Sequence, residues 1–147
     1  MGIVYKKALK FKHKYPATVG WRIKKHSEIV EKHLHSDEEV RYVFVAQKND
    51  SSFDIFGTAV VALTNKRILI GRKRTVFGYF FSSITPDLFN DLKIVGGLFW
   101  GRVLIDTAKE FVVLTNLDNS SLKEIEEEVT TFMMEEKKKY PDREEEE

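Results

Sequence analysis

The stretch Gly57–Lys73 constrains the fold more than any other part of the chain. It reads Gly-Thr-Ala-Val-Val-Ala-Leu-Thr-Asn-Lys-Arg-Ile-Leu-Ile-Gly-Arg-Lys. Two runs of aliphatic and β-branched residues flank a short polar break, Thr64-Asn65-Lys66. Branched side chains favour extended backbone, and a polar break between two such runs predicts a hairpin. Ala59, Val61 and Leu63 share one face of its first strand; Ile68 and Ile70 share one face of its second. A hairpin this apolar does not stand alone in water, so it belongs to a larger sheet.

The rest of the chain supplies that sheet. Val40–Gln47 is β-branched and aromatic on both faces, the pattern of a strand buried on much of its surface. Lys48–Asp54 reads as a polar loop, after which Phe53, Ile55 and Phe56 return to the core. Gly71-Arg72-Lys73-Arg74-Thr75 reads as a basic turn. Phe77, Tyr79 and Phe81 alternate with Gly78, Phe80 and Ser82 in the next strand. Leu92–Val95, Arg102–Thr107 and Glu110–Leu114 follow, separated by Gly96-Gly97 and Ala108-Lys109. About seven short strands joined by short turns predict a small barrel or sandwich.

Helical periodicity marks the two ends. In Val19–His35, the residues Ile23, His26, Val30 and Leu34 form one stripe, with Ile29 and His33 beside it. Near the C-terminus, Ser121 and Glu124 have capping-box spacing, and Leu122, Ile125, Val129, Phe132 and Met133 make an apolar stripe. Glutamates crowd the early turns of that helix and Lys137–Lys139 its end, as the helix dipole favours. Pro141 stops it. The expected organisation is a basic N-terminal arm over residues 1–18 and a single domain over residues 19–140. That domain carries helices at 19–35 and 121–139, and an acidic tail follows at 141–147. The arm, with Ile3, Val4, Ala8, Leu9 and Phe11, shows no clean period, and arm, short helix or added strand stay open for it.

Charge is lopsided along the chain. Residues 1–35 hold nine Lys/Arg and two Asp/Glu, residues 36–117 ten and nine, and residues 118–147 five and twelve. A front of +7 and a tail of −7 can meet within one molecule or between neighbours, or can be two solvated helices of unlike decoration. There is no cysteine, which removes disulfides, thiolate metal sites and a cysteine nucleophile. That composition fits a cytoplasmic setting, with a place at the periphery of a membrane as the alternative. No run is long enough to span a bilayer.

Catalytic signatures are missing from the sequence: there is no G-x-S-x-G, H-E-x-x-H, phosphate-binding loop or dinucleotide fingerprint. His26 and His33 lie two turns apart on a helix, too far to share one metal directly. The carboxylate pairs Asp50/Asp54 and Asp87/Asp91 lack a partnered histidine. We expect no catalytic residue, no cofactor and no metal. Two surface candidates remain. Lys66, Arg72, Lys73 and Arg74 are candidate contacts for an anion or an acidic lipid surface. Phe99 and Trp100, beside Gly96, Gly97 and Gly101, are a candidate interaction loop. Each also has an ordinary reading: cations keeping a sheet edge soluble, and an aromatic corner packing the barrel. The front-end lysines Lys6, Lys7, Lys10, Lys12 and Lys14 suit an acidic membrane or a partner surface; nucleic acid is disfavoured.

Three short motifs in order, Leu63-Thr64-Asn65-Lys66-Arg67, Ser83-Ile84-Thr85 and Leu98-Phe99-Trp100-Gly101-Arg102, resemble bacterial pleckstrin-homology (PH)-like domains of the YokE-like type. The likeness covers about Ile29 to Lys138. It implies a mainly β fold with α: an open barrel of seven antiparallel strands in two nearly orthogonal sheets, capped by the C-terminal helix, here with an additional N-terminal helix. It also implies a non-catalytic binding module for a protein partner or for a second copy of itself in a homo-oligomer. Peripheral binding of anionic lipid through the N-terminal arm and Arg72–Arg74 is the alternative. Lipid-binding PH domains place basic residues in the loop between the first two strands. Here that loop holds one lysine and two aspartates over Gln47–Asp54, so no phosphoinositide site is carried over.

Overall fold

The computed structural model describes residues 2–48, 57–74 and 77–137. Helices α1 (Ile3–Lys14) and α2 (Ile23–Lys32) come first. Strands β1 (Val40–Lys48), β2 (Thr58–Thr64), β3 (Ile68–Lys73), β4 (Tyr79–Ile84), β5 (Phe89–Val95), β6 (Trp100–Thr107) and β7 (Phe111–Asp118) follow, then helix α3 (Leu122–Lys137). The seven strands form one antiparallel sheet in the order β4-β3-β2-β1-β7-β6-β5. It divides naturally in two. β1 pairs with β2 along its length but meets β7 only at Gln47–Thr115 and Lys48–Leu114. That narrow seam lets the sheet curl into a half-barrel, as the family resemblance implies.

Both faces of β2 and β3 are covered, which explains the unbroken apolar run of the opening hairpin. Every residue of β2 is buried. α2 lies on β2 and β3, and the fit is close at Gly71: a Cβ there would stand 2.6 Å from Val30 Cγ2 and 3.1 Å from the Val30 backbone nitrogen. On the inner face, Leu122, Ile125, Val129 and Phe132 of α3 join Phe89, Val103, Ile105 and Leu117 in one hydrophobic core. The capping helix therefore closes the mouth of the half-barrel with the stripe that the sequence predicts.

The N-terminal stretch is a helix packed into the core. Val4, Ala8, Phe11 and Tyr15 are buried, at spacings of four, three and four residues. Counting Ile3 and Leu9 with them obscures that stripe; Ile3 is exposed and Leu9 only half-buried. Phe11 packs edge-on against Tyr42 and at a tilt against Phe44, along the part of β1 that β7 leaves. Phe53, Ile55 and Phe56, expected to return to the core, lie outside the described residues. So do Thr75, most of the β1–β2 loop and the acidic tail. Lys48, expected to open that loop, is the last residue of β1.

The Ser121–Glu124 capping box does not form. Asp118 accepts the Ser120 N–H at 2.9 Å, and the Ser121 hydroxyl donates to the Asp118 carbonyl at 2.7 Å. Glu124 is drawn away by longer-range partners, as the site shows.

Candidate interaction surface

The Leu63–Arg67 motif is a structural lock. The Thr64 hydroxyl accepts the backbone N–H groups of Lys66 and Arg67 at 3.0 and 3.1 Å, which builds the turn. It donates to Glu38 Oε2 at 2.6 Å. Arg67 grips the same carboxylate with two nitrogens, at 2.9 and 3.0 Å, and donates to the His33 carbonyl at 2.8 Å and to Ser83 Oγ at 3.1 Å. Asn65 accepts the Glu39 N–H at 2.8 Å. The turn thus clamps the α2–β1 connection to the sheet. Burial pushes the Glu38 carboxyl up, but hydrogen bonds from Arg67, Thr64 and the His35 N–H, with the Arg67 charge, outweigh it and bring it down to about 2.

The four candidate anion contacts do not converge. Lys66 stands at the β2–β3 turn, held by Asp37 at 2.6 Å. Arg72, Lys73 and Arg74 begin at the other end of β3, about 20 Å away for a strand of this length. Arg72 and Lys73 are the last residues of β3 and not in a turn, and Arg74 follows the strand. Strand alternation puts Arg72 on the face of Ile68 and Ile70, where it is buried, and Lys73 on the opposite face, half-buried. Only Arg74 of the three is exposed. The Lys73 backbone N–H donates to Nδ1 of His26 at 2.8 Å. His26 is buried there, and burial, then the charges of Arg22 and Arg72, pull it down to about 4. His33 stacks flat on Phe81 at 3.9 Å between ring centres, so the two histidines serve packing and backbone bonding.

The basic front and the acidic helix α3 meet within the molecule. Lys14 Nζ lies 2.6 Å from Glu124, which also accepts the Tyr42 hydroxyl at 2.8 Å. Arg41 reaches Glu135 and Glu136 at 3.0 and 2.7 Å. Burial raises the Glu124 carboxyl, but the bonds from Lys14 and Tyr42 overcome it and the group sits below its ordinary range. A shallow groove of about 200 Å³ runs between α1, β1 and α3, walled by Lys7, Lys10 and Arg41 against Glu124 and Glu128. Of its cations, Lys14 is paired with Glu124 and Arg41 with Glu135 and Glu136.

The Phe99–Trp100 loop is different. Leu98 is 88% exposed, Phe99 71% and Trp100 43%. The tip is nonetheless held firmly. Asn119 accepts the Gly97 N–H at 3.3 Å and donates to the Gly97 carbonyl at 2.9 Å. Trp100 Nε1 donates to the Ala17 carbonyl at 2.9 Å. A Cβ on Gly97 would stand 2.3 Å from the Trp100 carbonyl oxygen, so the turn needs glycine there. Leu98 and Phe99 project from a braced hairpin with no apolar cover, instead of packing as an aromatic corner. Leu98 went unmarked because an isolated leucine carries no exposure signal in sequence.

A family model described as a bacterial PH domain matches residues 34–131, two-thirds of the chain. The chain belongs to the bacterial PH domain family. The curled seven-stranded sheet and α3 as far as Thr131 are the parts of this PH domain the match spans; α1 and α2 lie before it. No curated protein and no solved structure matches it. Among the described residues no cluster of His, Asp and Glu has the arrangement of a metal site, and no helix is long and apolar enough to cross a membrane.

Proposed function

We propose that this PH domain is a non-catalytic module of the YokE-like type that binds another protein through the Leu98–Phe99–Trp100 tip. Membership of a class of interaction modules supports the coarse reading. The observation that carries the finer one is a braced loop presenting leucine and phenylalanine to solvent, 88% and 71% exposed. Rigid apolar side chains that are already ordered lose little entropy on docking, and aromatic anchors are favoured at the centre of interfaces. The anionic-lipid alternative has less support. Lys14 and Lys66 are paired with carboxylates, and the lysines of α1 lie on a different element from Arg72 and Lys73 of β3.

Affinity capture from the source cell with the wild-type domain and with a Leu98→Ser/Phe99→Ser double variant tests the reading. Proteins recovered by the wild type and lost with the variant support it; equal recovery by both overturns it. Co-sedimentation with phosphatidylglycerol vesicles against phosphatidylcholine vesicles runs beside it. Binding that needs both the acidic lipid and the tip would transfer the tip to the membrane reading.

A further inference from the structure

We infer that β4 is a self-pairing edge through which two copies of this chain join their sheets antiparallel about a two-fold axis at Phe81. The sheet has two ends, β4 and β5. A free edge offers unpaired backbone groups, and soluble proteins blunt such edges with charges, prolines or bulges. β5 is blunted in this way: Asp91 and Lys93 are exposed on it and its register breaks at Phe89/Asp91. β4 has none of these devices. Phe77–Thr85 contains no charge and no proline, and Tyr79–Ile84 pairs with β3 in six consecutive steps without a bulge. Among the described residues no strand covers its outer side. Phe77 is 84% exposed and Tyr79 45%.

The strand is also presented ready-made. Phe81 stacks on His33 from one face, with Lys32 Nζ 3.9 Å from the centre of the Tyr79 ring. From the other face Lys48 Nζ lies 4.4 Å from the centre of the Phe80 ring, and the Ser82 hydroxyl donates to Glu110 at 3.1 Å. Little further ordering is needed for a second strand to add.

The sequence of β4 names the occupant. Paired with itself antiparallel about Phe81, it sets Phe80 against Ser82, Tyr79 against Ser83, Gly78 against Ile84 and Phe77 against Thr85. Each bulky side chain meets a small one on the twin, and Phe81 meets Phe81 at the axis. No like charges oppose each other, which in a self-pairing strand would be destabilising. An isologous two-fold pair of this kind closes after two copies. A strand pair of this length is a small interface, so the dimer belongs in the micromolar range. The inference stands apart from the tip and does not use it.

Sedimentation equilibrium across the micromolar range tests it, together with cross-linking of Phe81→Cys. The chain has no cysteine, so any disulfide dimer comes from the introduced residue. Cβ atoms of directly opposed residues lie about 4.5–5.5 Å apart, near enough for the bond after a small adjustment. The expected results are a concentration-dependent wild-type dimer and rapid oxidation of Phe81→Cys to a dimer. Mixed Tyr79→Cys and Ser83→Cys chains should cross-link to each other and not to themselves. Phe81→Lys should weaken the dimer about tenfold or more, with far-UV circular dichroism confirming that it folds. A strictly monomeric wild type overturns the inference, as does a dimer lost with Phe99→Ser and kept with Phe81→Lys. A monomer that binds strands of other proteins at β4 would assign the edge to a foreign peptide and equally overturns self-pairing.

Discussion

Replacing Glu38 by glutamine tests whether the hairpin lock contributes to stability as its geometry requires. The Glu38 side chain is fully buried and Arg67 is 12% exposed, so water does little to screen the pair. Its carboxyl sits at about 2 against an ordinary 4.5. A depression of that size corresponds to about 3 kcal/mol of preference of the folded state for the charged form. The contribution is complete above pH 4.5 and is lost as the pH falls toward 2, because the unfolded chain takes up the proton first. Glu38→Gln keeps the shape but removes the charge, and should cost about 2–3 kcal/mol at neutral pH. For a chain of this size that is a fall in Tm of about 4–12 °C. Arg67→Met should cost more, about 3–5 kcal/mol, since it leaves a carboxylate buried without its counter-charge. Urea titrations followed by far-UV circular dichroism at pH 7 and pH 3 read both variants, and the double variant should cost less than the sum of the singles. A Glu38→Gln cost below about 0.5 kcal/mol at pH 7 would refute the reasoning. So would a cost that does not shrink at pH 3.

Four further outcomes follow from the same geometry. Because His26 sits at about 4 in the fold against an ordinary 6.5, the wild type should lose up to about 3 kcal/mol as pH falls from 6.5 to 4. His26→Asn should flatten that slope in urea titrations. Phe11→Ala should cost about 3–5 kcal/mol and raise amide exchange throughout α1, since Phe11 is buried against Tyr42 and Phe44. Gly71→Ala should cost about 1–3 kcal/mol by thermal melting, because the new methyl meets both a side chain and the backbone of Val30. Phe99→Ser should leave stability within about 0.5 kcal/mol of the wild type, as expected for a side chain that supports nothing beneath it.

What the sequence disclosed follows the reach of each signal. Period-two and period-3.6 patterns report which side of an element is buried, so the hairpin and the α3 stripe were readable from local order alone. Arg72–Arg74 misled because three adjacent cations look like a turn; the alternation of Ile68, Ile70 and Arg72 carried the true placement. The capping box failed for a different reason. Its spacing is a local cue, and Glu124 answers to Lys14, 110 residues away. The Glu38–Arg67 pair spans 29 residues and left no trace beyond a family-like motif on one side of it.

The two helices that precede the family match bear on how the PH fold is used here. α2 covers the outer face of β2 and β3, and α1 lines the stretch of β1 that β7 does not reach. Surfaces that an open half-barrel leaves available are therefore filled by the chain's own N-terminus, with Val4, Ala8, Phe11, Ile29 and Val30 buried. The same helices use up part of the basic charge, since Lys14 is spent on Glu124. Among the apolar features left uncovered are the tip at Leu98 and Phe99 and the uncharged strand edge at Phe77–Ile84. On the proposed reading, binding by this domain rests on shape more than on charge. Added salt should weaken an electrostatic contact, because ions screen exposed charges within about 10 Å at 0.1 M. It should leave contacts at the tip and at β4 unchanged or slightly stronger. Measuring the β4 dimer by sedimentation at low and at high sodium chloride decides the point, and a dimer that dissociates as salt rises would place its interface on the charged helices instead.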